Sequence, residues 1–243
     1  MNISYLAENK HVVRYMLIII CLTMWEDVFS QADRYTAERN DMVNTQIISR
    51  GITDAATIKA MRKVPRHLFV PDENLGYAYG DYPLSIGYGQ TISQPYIVAL
   101  MTEVVQPDKK KKALEIGTGS GYQAAILSEI TDTVYTIEIV PELAVESAER
   151  LKRLGYKNVI VRSGDGYNGW PERAPFDIII VTAAAKEIPK PLINQLAENG
   201  RLVIPVGDVS EVQELILVTK KNGRIKQTYI TAVRFVPFRR SGK

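Results

Sequence analysis

A chain of 243 residues, 46% hydrophobic and 23% charged, suits one globular domain with a full core and room for a small subdomain. A net charge of +3, with no basic stripe interleaved with aromatics, leaves no electrostatic footprint of a nucleic-acid binder, although it does not exclude one. No repeat or low-complexity segment is present, which excludes solenoids and linker-like chains.

The first 32 residues read differently from the rest. Lys10, His11 and Arg14 precede the apolar run Met16–Thr23, and Ser30-Gln31-Ala32 offers small residues at both cleavage positions. This is the layout of a secretory signal peptide, with an apolar core too short to span a bilayer. Glu8, Glu26, Asp27 and the shortness of the core weigh against it. An extra N-terminal helix, or a start codon placed too far upstream, stays open as the alternative. Export to the periplasm is the expectation taken here. The one cysteine, Cys21, lies inside this segment, and Ile20 before it departs from a lipoprotein signal. A chain cut after Ala32 therefore carries no disulfide, and cysteine usage says nothing about compartment.

Tyr35–Arg50 reads as a helix closed by Gly51, followed by a helix capped by Thr53 and running to Lys63, before Pro65. Val64–Pro71 is a bounded turn segment in which His67 reads as structural. The stretch Tyr82–Tyr96 admits two readings. One is a loop that leads into a helix, with Ser93 or Gln94 as cap and Pro95 at the first helical position, running to Val105. The other is a polar loop that folds over a ligand, which would account for Gly87, Gly89, Gln90 and Thr91. Lys109–Lys112 reads as a solvated loop.

Ala113–Ile116 is then a buried strand and Ser120–Glu129 a helix, with Gly117, Gly119 and Gly121 between them. Thr133–Ile137 is a second strand, ending in Glu138, and Pro141–Leu154 a helix closed by Gly155. Val159–Arg162 and Phe176–Val181 are strands, Pro189–Leu196 a helix, and Arg201–Val206 a fifth strand. Gln213–Lys220 and Gln227–Val236 form a hairpin around Asn222-Gly223. Alternating strands and helices with a terminal antiparallel pair imply an α/β sheet that binds ligands at the strand C-terminal ends.

The glycine turn carries the chemistry. A dinucleotide fingerprint needs a glycine where this chain has Tyr122, so a dehydrogenase is disfavoured. Glu115, the spacing Gly117-x-Gly119-x-Gly121 and an acid at the end of the next strand instead resemble the S-adenosylmethionine methyltransferases. Glu138 is placed to accept from two ribose hydroxyls. Asp165, between Gly164 and Gly166, either accepts from an adenine amine or forms an ordinary Asp-Gly turn.

Val64–Pro71 (VPRHLFVP), Ile86–Tyr96 (IGYGQTISQPY), Leu114–Gln123 (LEIGTGSGYQ), Gly164–Gly166 (GDG) and Pro175–Ala184 (PFDIIIVTAA) resemble the protein-L-isoaspartate (D-aspartate) O-methyltransferases. Arg201–Gly207 and Val233–Pro237 continue the match, which spans about Asp41 to Pro237. The resemblance implies a Rossmann-like class I fold, a mostly parallel sheet with a C-terminal antiparallel hairpin and an N-terminal helical extension. It implies one domain over 33–243, with a helical and active-site-loop part to 106 and an α/β cofactor core from 107. It further implies S-adenosyl-L-methionine as cofactor and no metal. The substrates would be damaged proteins and peptides containing L-isoaspartyl residues, and acceptance of D-aspartyl residues stays open. The family default is a cytoplasmic monomer without nucleic-acid or stable membrane association.

At residue level, Ser93 matches the family's active-site serine, and Gln90, Thr91 and Ile92 match residues beside the cofactor. Glu115, Gly117, Thr118, Gly119, Ser120 and Gly121 match the cofactor loop, Glu138 the ribose ligand, and Asp165 with Gly166 the adenine side. Thr182, Ala183 and Ala184 match the strand end that lines the substrate groove. Rival activities find less. A base-amine methyltransferase places Asn/Asp-Pro-Pro-aromatic where this chain has Val181–Ala184, and a C5-cytosine enzyme needs a cysteine nucleophile that only Cys21 offers. A cofactor-binding module without catalysis is the remaining alternative.

Overall fold

The computed structural model describes residues 34–241, so the signal-like segment 1–32 and Cys21 lie outside the described residues. Seven strands form the main sheet: β3 (Lys112–Ile116), β4 (Thr133–Glu138), β5 (Val159–Ser163), β6 (Phe176–Val181), β7 (Leu196–Val206), β8 (Gln213–Lys221) and β9 (Arg224–Val233). Their order is β5-β4-β3-β6-β7-β8-β9. The five strands from β5 to β7 pair in parallel, and β8 and β9 add antiparallel at one edge. Expected fold class and observed topology agree. A short hairpin, β1 (Leu84–Ser85) and β2 (Thr91–Ile92), stands apart from this sheet.

The apolar runs explain why the central strands are parallel and covered on both sides. Ile178, Ile179, Ile180 and Val181 of β6 are all fully buried, as a strand buried on both faces requires. Alternate residues enter different cores. Ile178 and Ile180 join Ala113, Val134 and Val203 on one face, while Ile179 and Val181 join Leu114, Tyr135 and Leu202 on the other. The first face is covered by the N-terminal helices α1 (34–42) and α2 (Ala55–Lys63), with α3 (Pro95–Val104), α4 (Tyr122–Ser128) and α5 (Pro141–Arg153). The second is covered by α6 (Lys190–Asn194) and the stretch around Trp170. Chain order reverses at β3, whose neighbours are β4 and β6, so the crevice at its C-terminal end is the expected ligand site.

Several boundaries differ from the sequence reading, for local reasons. The first helix changes to a π turn at Val43–Ile47 and a 3-10 turn at Ile48–Arg50 before Gly51 closes it at φ +92°. Asp54 rather than Thr53 caps α2, accepting from the Thr57 N–H at 2.7 Å. Pro95 opens α3 as expected and Gln94 stands at the N-cap position, but its side chain makes no cap bond and its amide donates to Asp81 at 2.7 Å. The helix expected at Pro189–Leu196 ends at Asn194, since Leu196 already pairs with Phe176 and begins β7. β9 stops at Val233, where Phe235 N–H turns to the Gln213 side chain and the Val236 carbonyl accepts from Ala184 N–H. His67 is structural, stacked on Tyr35 at 4.0 Å and bonded to the Tyr79 hydroxyl at 2.7 Å.

Gly121 shows what the turn before α4 demands. Its φ is +88°, and a Cβ would lie 3.1 Å from Leu151 of α5. Gly155 has a similar φ of +84° with nothing within 4 Å. Gly155→Ala therefore tests left-handed strain alone, at about 1 kcal/mol. Gly121→Ala adds a steric clash and should cost roughly 2–3 kcal/mol, or on the order of 4–10 °C in melting temperature. Equal losses in the two variants, measured by thermal unfolding, would show that the Leu151 contact does not set this turn.

Candidate active site

The glycine turn is held by one bond of its own and by several from its neighbours. Gly117 N–H donates to the Ile137 carbonyl at 2.8 Å, and Gly121 N–H to the Thr118 carbonyl at 2.8 Å. Gly117 sits at φ +96°, and a Cβ there would lie 2.4 Å from Thr182 Oγ1. That hydroxyl instead donates to the Gly117 carbonyl at 2.6 Å. Glu138, buried at the end of β4, accepts from Gly119 N–H through Oε2 at 2.7 Å and from Val140 N–H through Oε1 at 2.9 Å. One carboxylate thus ties the turn to the strand beside it and lines the cleft.

Glu115 lies one layer deeper. One of its oxygens accepts from Thr136 Oγ1, which meets Thr118 Oγ1 at 2.6 Å. The other oxygen is buried without a partner. Burial, with Glu138 nearby as a lesser cause, pushes the Glu115 carboxyl up to about 8.

The β1–β2 hairpin lies over this turn. Its ends close through Ile86 N–H to the Gln90 carbonyl at 3.0 Å and Gln90 N–H to the Gly87 carbonyl at 2.8 Å. Ile86 Cδ1 approaches to 3.3 Å of where a Gly119 Cβ would stand. Tyr88, at φ +54°, reaches Glu146 of α5 at 3.1 Å, and its carbonyl accepts from Arg239 at 3.2 Å. Pro95 opens α3 as the first reading of 82–96 expects, and the loop lies against the glycine turn.

The result is a cleft whose empty space, open solvent at its mouth included, is about 510 Å³. Gln90 and Thr91 line it from the hairpin, Gly117, Gly119 and Glu138 from the turn, and Gly166, Thr182 and Ala183 from the β5 and β6 ends. An adjoining cavity brings Ile92 and Ser93 together with Glu115, Thr118 and Ser120, and shares Thr91, Gly117 and Gly119 with the cleft. Ser93 also opens onto a broad outer groove beside Arg50, Tyr96 and the chain after β9.

Three expected residues sit at the edge of this arrangement. Asp165 accepts from Tyr167 N–H through Oδ1 at 2.9 Å, and through Oδ2 from Arg240 Nε at 2.9 Å and Ser241 N–H at 3.1 Å. Burial acts to raise its carboxyl, but Arg240 and the two backbone donors outweigh it and hold the group below its ordinary value. Gly121 serves the start of α4, and Ala184 bridges to the C-terminal segment, donating to the Val236 carbonyl and accepting from Phe238 N–H, both at 2.8 Å. What sequence reasoning missed is that segment: Val236, Pro237, Phe238 and Arg239 form one wall of the cleft. Val236 and Pro237 end the matched segment Val233–Pro237, but no local pattern places the stretch at the cleft; the pairing of 236–238 with Ala184 brings it there.

The family model described as protein-L-isoaspartate(D-aspartate) O-methyltransferase matches residues 37–242. The chain belongs to this family. A protein-L-isoaspartate O-methyltransferase of Opitutus terrae is 58% identical over 205 residues, covering 84% of this chain and 88% of that protein. One from Syntrophobacter fumaroxidans is 51% identical over 233 residues, covering 91% and 94%. A solved protein-L-isoaspartate O-methyltransferase superposes with a TM-score of 0.75 at 33% identity, covering 82% of this chain and 65% of that one. A Plasmodium falciparum β-aspartate methyltransferase, solved in complex with S-adenosyl-L-homocysteine, gives 0.71 at 30% identity, covering 83% and 98%. The chain is thus an S-adenosylmethionine-dependent methyltransferase acting on L-isoaspartyl residues of damaged proteins. Among the described residues no helix is long and apolar enough to cross a membrane.

Glu115 yields a test that needs no substrate. An unfolded glutamate titrates near ~4.3, so the folded enzyme binds the extra proton between that value and about 8. Over this window the ligand-free fold loses stability as pH rises. Glu115→Gln removes the cost, so its melting temperature should gain on wild type progressively from pH 5 to pH 8, by a few °C at the upper end. A difference that stays flat across that range would mean Glu115 is ionised in the free enzyme.

Proposed function

We propose that the cleft holds S-adenosylmethionine and that Ser93 orients the acceptor carboxylate where the cleft meets the outer groove. The observation that carries this reading is the shared cavity in which Ser93, exposed to the groove, stands beside the glycine turn and the unpartnered oxygen of Glu115. A buried acid without a partner fits a ligand that brings a positive charge, and the glycine turn fits one that needs close backbone approach. Glu138 keeps lone pairs for ribose hydroxyls. Asp165 keeps one on Oδ1 for an adenine amine, with Arg240 fixing its orientation and Gly166 beside it. Gln90, Thr91 and Ile92 shield the reaction from water, Thr118 and Ser120 hold the turn, and Thr182 and Ala183 wall the acceptor side. Ala184 positions the C-terminal wall rather than touching substrate.

When bound, S-adenosylmethionine supplies the methyl group together with its own leaving group. An α-carboxylate with a pKa near ~3.5 is already ionised at neutral pH, so the chain needs no general base. What its residues contribute is alignment at about 3 Å and exclusion of water. The 33–106 and 107–243 parts act as one domain, since the hairpin of the first covers the turn of the second, and cleft and groove draw on a single chain, as a monomer requires.

Two peptides identical except for isoaspartyl or aspartyl at one position test the reading, with methyl-labelled cofactor. Base-labile label on the isoaspartyl peptide alone is the expected result; label on neither, with cofactor bound, would defeat it. Ser93→Ala should lower kcat by roughly 10–100-fold, the scale of one lost orienting hydrogen bond, and leave S-adenosylhomocysteine affinity within about twofold. An unchanged kcat would remove Ser93 from the mechanism. Asp165→Ala should instead weaken S-adenosylhomocysteine binding about tenfold or more, read by calorimetric titration. An unaltered titration would sink the adenine assignment.

A further inference from the structure

The outer groove runs from Ser93 between the start of α3 and the chain that leaves β9. Its charged lining consists of two arginines, Arg50 and Arg234, and no acidic side chain lines it among the described residues. Arg50 lies flat on Tyr96, its Cζ 3.6 Å from the ring centroid, and its Nη1 is 3.1 Å from Asp81. Asp81 also receives the Gln94 amide at 2.7 Å, so the arginine, the acid and the residue next to Ser93 form one fixed unit. The Arg50 side chain is nonetheless 41% exposed. Arg234 is exposed on the opposite wall, next to Phe235, whose N–H is held by Gln213 at 2.8 Å. Its side chain makes none of the hydrogen bonds or ion pairs found among the described residues. Asp81 balances Arg50, and Arg234 leaves the groove with one uncompensated positive charge.

We propose that this groove selects isoaspartyl acceptors flanked by an acidic residue, with Arg234 meeting the flanking carboxylate and Arg50 offering a second, stacked guanidinium. This rests on the reading of Ser93 as the acceptor site. The target carboxylate is itself an anion, so the same charge draws the acceptor in and the flank sets how strongly. Guanidinium–carboxylate pairing at such half-exposed positions is screened by salt, so the preference shows best at low ionic strength.

Three isoaspartyl peptides test it, with Ala, Glu or Lys at the positions on either side of the isoaspartyl residue. At low salt, kcat/KM should fall in the order Glu, Ala, Lys, with about 5–10-fold between the extremes, carried by KM. At ~0.5 M salt the spread should shrink below about twofold. Fluorescence anisotropy of the same peptides on S-adenosylhomocysteine-loaded enzyme should give the same order of affinity, independent of turnover. Arg234→Gln should flatten the order, and Arg234→Glu should invert it, an outcome that mere loss of packing does not produce. Equal kcat/KM for the three peptides, with the Ala peptide methylated, overturns this proposal and leaves the acceptor reading in place. No methylation of any of them overturns the acceptor reading itself.

Discussion

The site depends on one carboxylate. Glu138 receives a backbone N–H from the glycine turn and another from the start of the next loop. A turn of three glycines loses more conformational entropy on folding than any other stretch of its length. Here that freedom is removed by bonds that reach in from outside: Glu138 on one flank, Thr182 on the other, and Ile86 of the hairpin above. The backbone is thereby free of Cβ atoms yet fixed in place, which is what close approach to a cofactor requires.

The same logic explains the chain's far end. After β9 the polypeptide does not leave the domain but returns to pair with Ala184 at the tip of β6. From there it walls the cleft, with Arg239 reaching the hairpin at Tyr88 and Arg240 reaching Asp165 while stacking 3.6 Å over Tyr167. Three segments distant in sequence, the hairpin, the glycine turn and the C-terminal stretch, close around one space. The hairpin meets both of the others, so disturbance of it is felt along the whole cleft.

Much of this was legible from the residues. β6 was bounded correctly because a run of four buried aliphatics between Asp177 and Thr182 admits no other reading, and Glu138 was placed because β4 ends where its apolar run does. Local signals failed where a partner from afar decided the structure. Thr53 is as good a cap as Asp54 by type, but Glu103 of a distant helix binds the N–H groups of both residues, and it is the Asp54 carboxylate that meets the Thr57 N–H. Gln94 is drawn off to Asp81, and Leu196 is claimed by Phe176. Val233–Pro237 belongs to the matched motifs, but nothing local says that it walls the cleft and groove, since that position follows from how β9 ends.

Charge sorts the two sides of the site. Toward the cleft stand two buried acids, Glu115 with a free oxygen and Glu138 at the turn, with the partly buried Asp165 at the edge. Toward the groove stand two exposed arginines. A cationic methyl donor and an anionic acceptor attract each other in water only weakly and without orientation. A cationic donor that enters beside Glu115 favours that carboxyl's ionised form, the groove arginines face the anionic acceptor, and Ser93 stands at the border as a neutral hydroxyl that adds no charge to either side. A charged residue at that border would favour one reactant and repel the other, which is a physical reason for a hydroxyl at this position in a reaction that needs no proton transfer.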